Sequence, residues 1–177
     1  MKDLFQLSPG DLVVWITPRA ELAPILDWIA VYALRGPVRV LDSGDRFEVK
    51  QLVRFLRRRT HQITETLSRI HASRISTSHQ LIHTLEETPA GAIPHLFLDF
   101  LATFEEENLP AVESYYLLGI TISHLHRLRK FAPVVVCVHP ARVQQPERAG
   151  LAEVVLELAD QVFTPAIPRS TRPTQLL

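Results

Sequence analysis

The sequence predicts an α/β domain, a mostly parallel sheet with helices on both faces. Short apolar runs alternate along the chain with stretches of helical spacing. Each run is apolar throughout, as in strands covered on both sides, whereas a sheet with one wet face alternates polar with apolar. The length, 177 residues with 46% hydrophobic and 21% charged side chains, suits one globular domain. A chain of this size buries about 70% of its unfolded surface, so a core can form without disulfide or metal staples.

Residues 11–17, DLVVWIT, follow the turn signal Ser8-Pro9-Gly10 and are rich in β-branched and aromatic side chains, which makes the first strand. Leu22, Ile25, Leu26, Ile29 and Ala33 then recur at helical spacing over 21–34, and Gly36-Pro37 stops that helix. VRVLDSG is the second strand, ending at Asp42. Over 48–70 a single long helix is expected, with Val49, Leu52, Val53, Leu56, Ile63, Leu67 and Ile70 on one face. A shorter helix over 78–87 opens at a Ser/Thr cap, Thr77 or Ser78. HLFLDFLATF at 95–104 is the third strand, and a helix over 111–130 leads to the fourth, PVVVCVHP. Residues 151–159 are helical, and QVF at 161–163 is a short last strand. The domain spans 1–165; the remainder, 166–177, carries Pro168 and Pro173 without an apolar period and is expected to be a flexible tail.

Composition removes several chemistries. The six glycines (10, 36, 44, 91, 119 and 150) never cluster, and the only lysines, Lys2, Lys50 and Lys130, do not follow a glycine. A Walker A loop needs grouped glycines to bring backbone N–H groups onto phosphates, and a lysine to reach them. That loop and the GxGxxG dinucleotide turn are therefore excluded. The zinc spacings CxxC and HExxH do not occur. Cys137 is the single cysteine and cannot form an internal disulfide. With no membrane-length apolar run and no signal-peptide core, a cytoplasmic protein is expected.

The order of the segments carries a resemblance. SPGDLVVWITP resembles the strand that leads into the phosphate loop of the RecA-like recombinase superfamily, and LDSGDRFEVKQL its second strand with the Phe-containing turn that follows. IHASRISTSHQLIHTL resembles the segment in which an aromatic or Arg-rich turn precedes a His-Gln pair, here His79-Gln80. HLFLDFLATF resembles the Walker B strand with Asp99 at its acidic end, and PVVVCVHPARV the strand before the second DNA-binding loop. The likeness covers 8–165 in the style of the archaeal and eukaryotic recombinases and their paralogs. It implies a single RecA-like domain of the P-loop NTPase type.

The departures from the family pattern imply a changed activity. At the phosphate loop the chain reads TPRAELAPIL, without glycine, and Pro18 and Pro24 remove N–H donors. Gly44 stands where the family's catalytic glutamate falls, with Asp45 one place later. Hydrolysis needs a group that orients water and a cation cradle on the phosphates. The expectation is therefore a pseudo-ATPase with no catalytic residue, no cofactor and no metal centre. A residual crevice of Arg19, Asp42 and Asp99 is the candidate ligand site, with Arg19 where the phosphate lysine would be.

Charge is uneven although the net is zero. Residues 50–74 hold seven Lys/Arg against one Glu, and residues 86–113 hold seven Asp/Glu and no Lys or Arg. Lys50, Arg54, Arg57 and Arg58, with His61, follow helical spacing opposite the apolar stripe and form a basic ridge for nucleic-acid phosphates or a protein partner. Arg142 and Arg148 supply the positive charge at the second DNA-loop position. Glu105, Glu106 and Glu107 fall at the first DNA-loop position, where they would repel a phosphate backbone. His79 and His83 share a helix face with no third metal ligand nearby; FTPA at 163–166 has the FxxA spacing by which recombinase subunits dock, but at the end of the last strand an inward Phe163 reads as core.

Together these features describe an accessory protein of DNA recombination or repair without ATPase activity. Its expected partners are a recombinase or paralog, or a second copy of the chain, with DNA as a further contact and no membrane. The alternative is a nucleotide-responsive module that binds ATP or another phosphate ligand weakly in the crevice. An enzyme that uses Asp42, Asp45 and Asp99 is a third reading.

Overall fold

The computed structural model describes residues 6–16, 18, 22–139 and 146–164. Along the chain run β1 (Leu12–Ile16), α1 (Ala23–Arg35), β2 (Val38–Asp42), α2 (Val49–Arg57), α3 (Ile63–Ser68) and β3 (Ile70–Arg74). They are followed by α4 (Ser78–Glu87), β4 (His95–Leu98), α5 (Ala111–Arg129), β5 (Val134–Val138), α6 (Gly150–Glu157) and β6 (Gln161–Phe163). The strands form one six-stranded sheet in the order β3-β2-β4-β5-β1-β6. Every pairing is parallel, which explains the unbroken apolar runs: a parallel sheet is covered on both faces.

Successive strand residues feed opposite cores. Leu12, Val14, Leu41, Phe97, Val134 and Val136 pack under α4, α5 and α6. Val13, Trp15, Val40, Leu96, Val135 and Cys137 pack under α1 and α2, with α3 at the margin. The helix over 78–87 is present with its cap: the Thr77 hydroxyl accepts from the Gln80 backbone N–H at 3.1 Å.

Two sequence expectations need correction. The long helix over 48–70 is broken into α2 and α3, and an edge strand, β3, takes residues 70–74. The apolar period runs through the break, from Leu52 and Leu56 to Ile63 and Leu67, so periodicity alone does not reveal it. What breaks the helix is a local competitor: the Thr60 hydroxyl accepts from the Gln62 backbone N–H at 3.0 Å. β3 carries little apolar signal because all but its first residue are exposed. The third strand is also shorter than 95–104. Asp99 takes a left-handed conformation (φ 50°, ψ 44°), and Phe100–Phe104 continues as a 3₁₀ turn. That turn sets Phe100 between Phe97, edge to face, and Phe104, tilted, with ring centres 5.7 and 5.6 Å apart.

Candidate functional site

A parallel sheet brings the carboxyl ends of its strands to one rim, where open α/β folds bind ligands. Three polar residues arrive there: Asp42 at the end of β2, Asp99 just after β4 and His139 just after β5. Asp42 is buried, and its two oxygens accept from three backbone N–H groups, those of Gly44 (3.1 Å), Arg46 (2.7 Å) and Phe47 (2.7 Å). The carboxylate thus shapes the turn between β2 and α2, a task different from the ligand contact expected of it. Within that turn Asp45 adopts φ 55° and pairs across to Arg74 at 3.1 Å.

Asp99 lies against this turn. A Cβ built on Gly44 would sit 2.1 Å from the Asp99 Oδ2 atom, so the two segments meet at a distance only glycine permits. The other Asp99 oxygen lies 2.9 Å from His139 Nε2, and Arg46 Nη1 lies 3.0 Å from the same nitrogen. One ring nitrogen cannot donate to a carboxylate and accept from a guanidinium at once, so the two hydrogen bonds exclude each other. Protonated or Nε2–H imidazole favours Asp99, and bare Nε2 favours Arg46. Partial desolvation, then the charge of Asp99, raises the carboxyl pKa of Glu105 from its ordinary value, against the pull of His139 and Arg148. The Cys137 thiol lies beneath, pushed far up by burial and then by Asp99, and is inert as a nucleophile.

The expected site residues are therefore only partly brought together. Asp42 and Asp99 meet at the rim; Arg19 and Arg142 lie outside the described residues. Lys50, Arg54 and Arg57 on α2 and Arg58 at its C-cap are exposed, immediately beyond the Asp42 turn. Arg148 departs from its expected contact role: it is 8% exposed and donates to the carbonyls of Glu106 and Leu109. His79 and His83 face separate glutamates, Glu113 at 3.8 Å and Glu87 at 3.5 Å. Phe163 packs at the edge of the α1–α2 core, and the rest of the FTPA segment beyond Thr164 lies outside the described residues. Sequence reasoning passed over Arg46 and His139. The signal for His139 was its place directly after the fourth apolar run; nothing local marks Arg46. Among the described residues no three His, Cys, Asp or Glu side chains are grouped to hold a metal ion, and no helix is long and apolar enough to cross a membrane.

No family model matches the chain, and no curated protein is matched. Among solved structures it is similar to the RadB recombinase, with a TM-score of 0.64 and 14% identity over 89% of this chain and 74% of that one. The fold is the RecA-like recombinase fold, one α/β domain with helices on both faces of its sheet.

Proposed function

We propose that this chain is a non-catalytic RecA-like protein that serves DNA recombination or repair as an accessory factor, mainly through contacts with other proteins. The observation that carries the reading is the strand-end rim, which the protein's own groups occupy. Asp42 is engaged by three backbone donors and Asp99 by His139, and the Gly44 turn closes onto the Asp99 carboxylate. A magnesium ion prefers hard oxygen ligands that keep room for waters and phosphates, and these oxygens are a poor fit to it. The glycine-free stretch TPRAELAPIL supports the same reading, because a phosphate cradle needs backbone N–H groups brought close. The likeness to a recombinase supplies the setting.

A second reading, a module that takes ATP or another phosphate ligand weakly at this rim, is favoured by the guanidinium of Arg46 standing beside His139. The two part in cells. Deletion of the gene should sensitise cells to agents that break DNA, and chains carrying Asp99→Asn or Arg19→Ala should restore resistance as fully as the native chain. Asparagine tolerates the left-handed conformation held at 99, so that variant tests the carboxylate and leaves the turn intact. Failure of both variants to rescue, with folding unchanged, would sink the reading in which the rim takes no ligand and favour the phosphate-binding module.

A further inference from the structure

Charge in this molecule is sorted by layer, and the way the minority charges are used completes the sorting. On the α1–α2–α3 side two acids are neutralised internally, and a third, Glu48, stays exposed with a neutral amide as its partner. Asp27 pairs with Arg59 at 2.8 Å, Glu65 with Arg69 at 2.6 Å, and Glu48 accepts from Gln51 at 2.7 Å. Lys50, Arg54, Arg57 and Arg58 stay exposed, with no ion pair among the described residues. On the α4–α5–α6 side the bases are consumed instead. Arg127 donates to the carbonyls of Thr88 and Leu85, Arg129 to Gly10 and Asp160, and Arg148 to Glu106 and Leu109. Glu86, Glu87, Glu107, Glu153 and Glu157 remain exposed there, with Lys130 as their one exposed Lys/Arg neighbour among the described residues of that layer.

The acidic layer also carries an uncovered apolar face. The stretch 114–123 of α5 has no charged residue, and the outward side of the helix shows Val112 (84% exposed), Tyr116 (67%) and Tyr115 (37%). Gly119 and Ser123 continue the stripe. A helix that is apolar toward solvent as well as toward its core marks a contact surface. The basic layer carries a matching recess: a notch of about 200 Å³ on α2, lined by Gln51, Arg54, Phe55 and Arg58, with Val49 half exposed nearby.

We propose that these two surfaces are each other's partners, so that the outward face of α5 in one copy of the chain seats on the α2 ridge of a second copy. Tyr116 enters the notch, where Phe55 offers an aromatic neighbour and Arg54 and Arg58 offer cations to its ring. The glutamates flanking α5 face the ridge cations. Exposed ion pairs contribute little affinity; the buried tyrosine supplies it, and the charges set orientation and salt dependence. The two faces lie on opposite sides of the sheet, so the contact is head-to-tail, and copies add in an open series or a ring. The 19 residues of α5 give a face about 28 Å long, a small interface, so association is weak and depends on concentration. The proposal goes beyond the accessory role: a chain that never self-associates overturns it and leaves that role untouched.

Light scattering on the full chain, across micromolar to near-millimolar concentration at low and high salt, reads the outcome. The wild-type mass should rise with concentration and fall with salt. Tyr116→Asp and the double variant Arg54→Glu/Arg58→Glu should each weaken self-association by about thirtyfold or more. All three positions are exposed, and circular dichroism checks that both variants fold. An equimolar mixture of the two variants decides the geometry. Each retains one intact face, so the mixture should form a dimer and nothing larger. A wild-type chain that stays monomeric throughout, or a mixture that stays monomeric while the wild type assembles, would overturn the proposal. So would a monomeric chain that shifts duplex DNA and loses the shift in the Arg54/Arg58 variant, which would assign the ridge to nucleic acid.

Discussion

Asp42 and Gly44 show how much a single position can settle at the rim. The aspartate reads from sequence as a strand-end acid, and so it is, but its oxygens go to the turn that follows. Gly44 reads as a missing carboxylate; in the structure it is also the one residue small enough to lie against Asp99. A second residue behaves in a way no motif announces. His95 is 2% exposed, both its ring nitrogens are buried without a hydrogen-bond partner among the described residues, and it sits beside Arg39 on the neighbouring strand. Burial, then the charges of Arg39 and Arg127, push its pKa down from 6.5 to about 4. The folded state therefore resists a proton that the unfolded chain accepts. Stability from this group is complete above the unfolded pKa and is lost as pH falls through the window between 6.5 and about 4. The loss is roughly 3 kcal/mol at most. His95→Leu gives up no hydrogen bond, so urea midpoints of the variant should vary much less between those pH values than the wild type's. Equal pH dependence in the two would show that the acid sensitivity arises elsewhere.

Elements were legible where an apolar period and a terminator coincide. β1, β2, β5, β6 and the helices α1, α4, α5 and α6 all fall within a few residues of their sequence-based positions. The segment 58–74 was not legible, for two physical reasons. The α2–α3 break rests on one hydroxyl, that of Thr60, and leaves the hydrophobic period intact. β3 is an edge strand whose exposed side chains carry no core pattern, although its backbone is paired to β2 along its length. By contrast, the start of α4 is written in one residue. Removing the Thr77 hydroxyl should cost about 1 kcal/mol, so Thr77→Ala is expected to lower the chemical denaturation midpoint with an unchanged slope. An unaltered midpoint would mean that packing of Leu81 and Leu85 holds the helix start without its cap.

At the scale of the molecule, the likeness read from segment order is matched by the RecA-like fold, with the apolar strands divided between two cores. The rim was half legible. Sequence marks acids at strand ends because the fold places them there, but Arg46 and His139 join Asp99 only through the sheet order, which sets β4 beside β5 and the β2 turn across from them. Charge counts along the chain likewise foretold a basic and an acidic segment, yet their placement on opposite layers is a property of the three-dimensional path. Whether the protein's own groups close the rim to nucleotide is decided by calorimetric titration with Mg·ATP. A closed rim should give no binding tighter than about 1 mM, roughly −4 kcal/mol. A micromolar, magnesium-dependent isotherm would contradict it.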